Sequence, residues 1–474
     1  MQDGPGNPGK TCFLPARVPR FTLCSRPLAV FLLCSVQGAF SGTSRNKKVS
    51  KESLMKRKNL KAVLLLILWL IILIIPASAN DWPQWRGPDR NGITNEQGLL
   101  SQWQEGGPPL LWMVRNLGNG YSTPSVAGDH LYVMVNEGLE NEYIRALDVK
   151  DGSQIWSVRV GKVGNPDQRP NFPAARSTPT VDGERVYALG SDGDLVCLEA
   201  VNGKIIWQKS LRTDFGGEPG SWAYAESPLI DGDKLICTPG GSEATLIALN
   251  KLTGEVIWKA AVPDGKDAAY ASVIMTRSTG VKEYIAFIGS GLVGVDAGTG
   301  VFLWEYEKTR GNANIPTPVA LNDLIYSSAS RVGGALIQLT SPEDSVRFRE
   351  IYFDSKLPTA IGGSILIGDY MYGSNNQTLQ CIEFKTGKVM WEEPGIAPGS
   401  LCSAENLLYF HGENGDMALI QAAPEGYHEM GRFTPPGQPA KANNMEKAWA
   451  YPVVADGKLY IRDKNCLWCY NIKK

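Results

Sequence analysis

Five times along this chain a polar residue is followed four positions on by glycine and four positions beyond that by tryptophan. The sets are Asp148, Gly152 and Trp156; Glu199, Gly203 and Trp207; Asn250, Gly254 and Trp258; Asp296, Gly300 and Trp304; and Glu383, Gly387 and Trp391. Glycine permits the positive φ of a tight turn, and tryptophan supplies a large apolar plate. A unit repeated in this way cannot bury its apolar face alone and must stack on its neighbours. The tryptophans therefore read as packing residues between repeats, not as a cofactor cage.

The clearest whole unit runs from Ser177 to Leu211. Its four short β-type runs are separated by Asp182-Gly183, Asp192-Gly193 and Asn202-Gly203, the strongest short-range hairpin signals. One unit is thus a four-stranded antiparallel meander. Successive tryptophans step by 51, 51 and 46 residues and then by 87. The long step holds two units, one having lost its tryptophan near Arg347-Phe348. Leu401–Phe433 is a further worn unit with Phe433 near the tryptophan position. The C-terminal stretch supplies three strands (Tyr451–Ala455, Lys458–Arg462 and Cys466–Ile472), and Pro109–Arg115 supplies the fourth. The expected fold is all-β: an eight-bladed β-propeller of four-stranded antiparallel blades over residues 108–474, closed by an N-terminal strand so that no sheet edge is left between the ends. Residues 80–107 read as an N-terminal linker.

Charge divides the chain. Residues 1–79 carry 12 Lys and Arg against 2 Asp and Glu, leaving 35 against 46 in residues 80–474, a net of −11. An acidic body repels phosphate backbones, so nucleic acid is not an expected partner. Met55–Lys61 is a basic n-region, Ala62–Ile75 an apolar run of 14 residues, and Pro76-Ala-Ser-Ala79 a small-residue cleavage site. Residues 55–79 therefore read as a signal peptide cleaved between Ala79 and Asn80, which makes the remainder periplasmic or secreted and not membrane-spanning. An uncleaved anchor is the alternative. Residues 1–54 read as a disordered extension ahead of the true start.

Export makes the cysteines informative. Cys197, Cys237, Cys381, Cys402, Cys466 and Cys469 lie irregularly spaced in apolar strand-like runs, and buried free thiols are expected. Cys466-Leu-Trp-Cys469 falls in the last strand, where residues three apart face opposite ways, which works against joint chelation.

The pattern Ala-x-Asp-x-x-x-Gly-x-x-x-Trp at Ala146–Trp156, matched with Asn for Asp at Ala248–Trp258, resembles the tryptophan-docking motif of the pyrroloquinoline quinone (PQQ)-like repeat family, the quinoprotein alcohol dehydrogenase-like superfamily. Asp81-Trp-Pro-Gln-Trp-Arg-Gly-Pro88 also resembles the opening of exported members. The resemblance implies an eight-bladed ring and one of two functional classes. Quinoprotein alcohol or polyvinyl alcohol dehydrogenases hold PQQ and Ca²⁺ in the axis; non-enzymatic members use the ring as a scaffold for partner proteins. This sequence lacks an adjacent Cys-Cys pair and dense Asp/Asn loops, and its only histidines are His130, His411 and His428. The expectation is a monomeric envelope scaffold or binding module without redox chemistry, whose partner is an envelope protein, a glycan or a small ligand, with no cofactor, no metal and no catalytic residue assigned. The PQQ-dependent oxidoreductase is the alternative.

A ligand would meet the loops that enter the innermost strands. The recurring Ser/Thr-Pro step marks them, and Tyr121, Arg176, Glu226, Asn314 and Trp449 precede it, with Trp222 just upstream of Glu226. These six are the candidate channel-mouth residues; the competing expectation is that they satisfy strand-end groups, with Arg176 paired to Glu226. On the dehydrogenase alternative, Arg176 would take the quinone carboxylates, Glu226 or Asn314 the Ca²⁺, and Trp222 or Trp449 the stacking floor.

Overall fold

The computed structural model describes residues 81–168, 175–265, 267–278, 280–340, 346–396, 398–441 and 445–474. The extension and the signal segment lie outside them. The described residues form eight four-stranded antiparallel sheets. Seven are meanders in chain order, here blades 1 to 7: 125–161, 180–210, 229–260, 274–306, 319–354, 364–393 and 399–433. Blade 8 takes three strands from 453–471 and its outermost strand from Leu110–Val114, in the register Trp112 to Cys469 and Val114 to Leu467. The split eighth blade expected from sequence is the observed closure.

A β-bulge interrupts the outermost strand pair of all eight blades at the same place. A bulge bends its strand and re-aims a side chain, and here the residue beside it is the packing aromatic. Opposite each tryptophan the partner is small: Cys469 for Trp112, Ala146 for Trp156, Cys197 for Trp207, Ala248 for Trp258, Gly294 for Trp304 and Cys381 for Trp391. Three of the six cysteines are thus small apolar partners beneath an indole. All six are buried and free.

Each motif glycine receives the aromatic ring of the blade before it. A Cβ at Gly152, Gly203, Gly254, Gly300 or Gly387 would stand 2.6–3.0 Å from ring atoms of Trp112, Trp156, Trp207, Trp258 or Tyr352. The glycine φ values are 72–75°, and each N–H donates to the carbonyl four residues back at 2.8–2.9 Å. The indole N–H then crosses to the next blade: Trp112 to Val149 O, Trp156 to Ala200 O, Trp207 to Lys251 O and Trp391 to Ala423 O, at 2.8–3.1 Å. Gly254→Ala combines positive φ with a ring clash and is expected to cost about 2–4 kcal/mol. Urea unfolding measures it, and a loss below about 0.5 kcal/mol would show that the contact is not tight.

The two worn blades differ from their expected registers. In blade 5 the position beside the bulge is Tyr352, facing Leu336, not the Arg347-Phe348 region; its hydroxyl donates to Phe384 O at 2.8 Å, as an indole would. In blade 7 that position is Gly431, facing Leu419, while Phe433 lies two residues on. Trp103, from the segment read as a linker, lies against Gly431 and is 4% exposed. Its backbone N–H donates to Met430 O at 2.9 Å, and its ring is 6.0 Å from Tyr409 and 5.2 Å from Phe433. The in-blade pairs Tyr132–Trp156, Tyr187–Trp207, Tyr372–Trp391 and Tyr460–Trp112 stand 5.8–6.1 Å apart. Trp103 thus fills the missing aromatic place of blade 7 from outside the blade.

Ahead of Trp103 the chain crosses the axis. Trp82 pairs with Val126 at the inner edge of blade 1, and Pro83 O accepts from Val181 N of blade 2. Trp85 donates to Thr317 beside blade 5 at 3.0 Å, and Arg86 to Ser364 O of blade 6. Arg90 donates to Ser227 O and Pro228 O beside blade 3 at 2.9 and 3.0 Å, and Ile93 pairs with Ser403 of blade 7. Blades 1 and 5, 2 and 6, and 3 and 7 are diametrically opposed in an eight-membered ring, so residues 82–93 span its centre. Trp82, Arg86 and Arg90 are 1%, 3% and 6% exposed. The joint between blades 8 and 1 is tied by Arg462, fully buried, which donates to Ser122 O, Met134 O and Lys464 O at 2.8–3.1 Å.

Candidate functional site

The Ser/Thr-Pro steps lie where the innermost strands begin, and they stitch blades together. Thr178 N donates to Ser227 Oγ, Ser227 N to Ser272 Oγ, and Tyr451 N to Thr123 Oγ1, at 2.9–3.0 Å. Small hydroxyls suit this because they accept a neighbour's N–H without filling the channel. Above this belt the residues preceding the steps form one mouth of the ring.

Four of the six sequence candidates come together there. Tyr121 and Trp449 pack with ring centroids 4.9 Å apart, tilted by 56°. Arg176 Nη1 donates to Trp222 O at 3.0 Å. Trp222 meets Tyr270 edge-on at 5.9 Å, and its N–H donates to the Tyr270 hydroxyl at 3.1 Å. Trp449 Nε1 donates to Glu413 Oε1 at 3.3 Å. All four are partly buried, so they offer faces to solvent from fixed positions. Tyr270 was missed because its strand begins Ala271-Ser272-Val273 without a proline; the aligned serine was the available signal.

Glu226 and Asn314 are elsewhere in function. Glu226 is 2% exposed and accepts from Thr238 N and, at 3.0 Å, from Thr238 Oγ1. Asn314 is 2% exposed; its Oδ1 accepts from Gly311 N at 2.9 Å and its Nδ2 donates to Ile288 O at 2.8 Å. Arg90 favours the charged form of Glu226, and Glu142 the charged form of Arg176.

Burial governs the electrostatics. It lowers the Arg176 pKa, an effect opposed by Tyr121, Glu142 and Tyr270, and raises that of Tyr121, with Glu446 adding to it. It pushes Glu142 up to about 7 despite donors from Ser191 N and Oγ at 2.6 Å. Glu226 is likewise pushed up to about 7 by burial. A carboxyl with a raised pKa holds its proton more tightly folded than unfolded. Its stabilising share is full below pH 4.5 and is lost as pH rises to about 7. Glu226→Gln is therefore expected to raise stability at pH 7.5, by on the order of 2–3 kcal/mol, and to change it little at pH 4.5. Urea unfolding at both pH values tests this; equal effects at the two would be inconsistent with it.

The oxygens implied for calcium are engaged elsewhere. Calcium needs several converging oxygens, whereas the oxygens of Glu226 and Asn314 are taken up in blade 3 and beside blade 5. Among the described residues no group of three or more His, Cys, Asp or Glu side chains could hold a metal ion. Beneath the mouth, Trp85 packs edge-on against Tyr451 at 4.5 Å, so the crossing segment floors the channel.

The family model described as outer membrane protein assembly factor BamB matches residues 93–221 and 140–393. A curated relative of that name from Shewanella oneidensis is 25% identical over 241 residues, covering 49% of this chain and 54% of the relative. The chain spans about half the length of that relative and about a third of others it matches. Among solved structures, BamB from Moraxella catarrhalis superposes with a TM-score of 0.53 at 14% identity, covering 79% of this chain and all of that one. A europium-containing methanol dehydrogenase superposes at 0.59 with 12% identity, covering 82% and 90%. At such identities the likeness speaks to the fold alone.

Proposed function

The chain belongs to the PQQ-like repeat propeller family, and from that premise we propose that it is an exported, monomeric scaffold of the cell envelope that serves outer membrane protein assembly and carries no quinone, calcium or redox chemistry of its own. The observation that supports this reading most directly is the crossing segment. Residues 82–93 turn the ring into a filled disc whose axis is occupied by its own side chains. A ring floored in this way offers rigid faces. The mouth formed by Tyr121, Trp449, Arg176 and Trp222 is then a docking face for an envelope protein, aromatic and arginine groups being the usual anchors of such contacts. Signal cleavage after Ala79 would leave the disc in the periplasm; no helix among the described residues is long and apolar enough to cross a membrane.

Two measurements test this. The purified protein is incubated with PQQ and Ca²⁺, desalted, and followed by quinone absorbance and dye-linked alcohol oxidation. Retained quinone with turnover would replace the scaffold by the dehydrogenase reading. In the source organism, loss of the gene is expected to lower outer membrane β-barrel proteins. Wild type should rescue this, and a Trp222→Ala, Trp449→Ala variant should not; full rescue by that variant would remove the mouth from the proposal.

A further inference from the structure

On the face opposite the mouth, blades 1 and 2 part to leave a cleft of about 890 Å³, within the range of small-ligand and peptide side-chain pockets. Its walls are the turn Ala127–His130 of blade 1 and, from blade 2, the turn Gly183–Arg185 and the hairpin at Glu199–Val201; Asp81 and Pro83 border it from the crossing segment. The apolar part is open to solvent: Val201 is 68% exposed and Ile206 38%.

The cleft lining is predominantly acidic, with Asp81, Asp129, Glu184 and Glu199 against Arg185. Asp81 accepts from Gly128 N at 3.0 Å, and Glu199 stands 3.5 Å from Lys204. Asp129 and Glu184 are exposed, and neither carboxylate has a hydrogen-bond or ion-pair partner among the described residues. The cation nearest to hand does not serve them: Arg185 donates to Leu252 O at 2.9 Å. His130 lies stacked on Tyr132, 5.9 Å apart and 11° from parallel. An open apolar floor between two unneutralised carboxylates complements a ligand that is itself apolar and cationic. Polyanions are repelled by the same charges.

We propose that this cleft binds a basic, apolar peptide segment of another protein, with Lys or Arg side chains at Asp129 and Glu184 and an apolar side chain against Val201 and Ile206. The site is independent of the mouth and would stand if the assembly role failed.

The test is fluorescence polarisation of a labelled Lys-Leu-Lys-Leu-Lys peptide with the full chain, beside its Glu-Leu counterpart. Saturable binding of the lysine peptide alone is expected, weakening with salt. Asp129→Asn with Glu184→Gln should weaken it about tenfold, and Val201→Ser should weaken it as well. A control pair of exposed carboxylates on blades 3 and 7, Glu243→Gln with Glu425→Gln, should leave it unchanged, as should Trp222→Ala at the mouth. Circular dichroism confirms that each variant is folded. Absence of binding, equal loss in the control pair, or binding untouched by the Asp129 and Glu184 changes would overturn the proposal.

Discussion

Trp103→Ala is expected to lower the free energy of unfolding by about 3–5 kcal/mol, the range for truncating a buried tryptophan. The size of the effect comes from where the ring sits. Blade 7 has glycine where its aromatic should be, and Trp103 reaches that place from a different part of the chain, with Tyr409 and Phe433 around it. Truncation leaves a void beside the outermost strand of blade 7 that Gly431 has no side chain to fill. Trp103→Phe should recover more than half of the loss because a ring remains. Guanidinium unfolding followed by tryptophan fluorescence reads both. A Trp103→Ala loss below about 1 kcal/mol would mean that the ring is not part of the packed core.

Arg462→Ala should be of similar or greater size, about 3–5 kcal/mol. Its guanidinium is buried at the joint between blades 8 and 1 and meets the carbonyls of Ser122, Met134 and Lys464. Removing it leaves those acceptors without donors in a dry place, and each such group is costly. Arg462→Lys places one ammonium where a planar fork made several bonds, so it should recover only part of the loss. Burial pushes the Arg462 pKa down to about 9. That shift measures the desolvation cost which the three carbonyl acceptors offset.

How much of this was legible follows from which contacts are local. The blades were countable because turn, glycine and tryptophan lie within one hairpin at fixed spacing. The small residue ten positions before each of five tryptophans, from Ala146 before Trp156 to Cys381 before Trp391, carried the cross-strand partner in the same local code. Blades 5 and 7 misled because aromatic identity was followed where bulge register decides. Tyr352 and Gly431 hold the position, yet Phe348 and Phe433 look the part. In the mouth, distance from the proline of the Ser/Thr-Pro step goes with direction: Tyr121, Arg176 and Trp449 stand three residues before Pro124, Pro179 and Pro452, Glu226 two before Pro228 and Asn314 four before Pro318. Tyr121 and Trp449 face each other, while Glu226 and Asn314 turn inward to nearby backbone donors. The path of residues 81–103 had no signal, since its partners are hundreds of positions away and impose no periodicity.

That separation sets an order of events. Leu99 binds Glu405, Glu96 binds Gly457 N, Arg90 and Ile93 need blades 3 and 7, and Leu100 N needs Ile472 O. A chain emerging from its N-terminus releases this stretch before any of those sites exists, and Ile472 is the last of them to be made. An early-made piece is thus late to find its place. Until those late partners exist, a nascent ring is left unlocked at its centre.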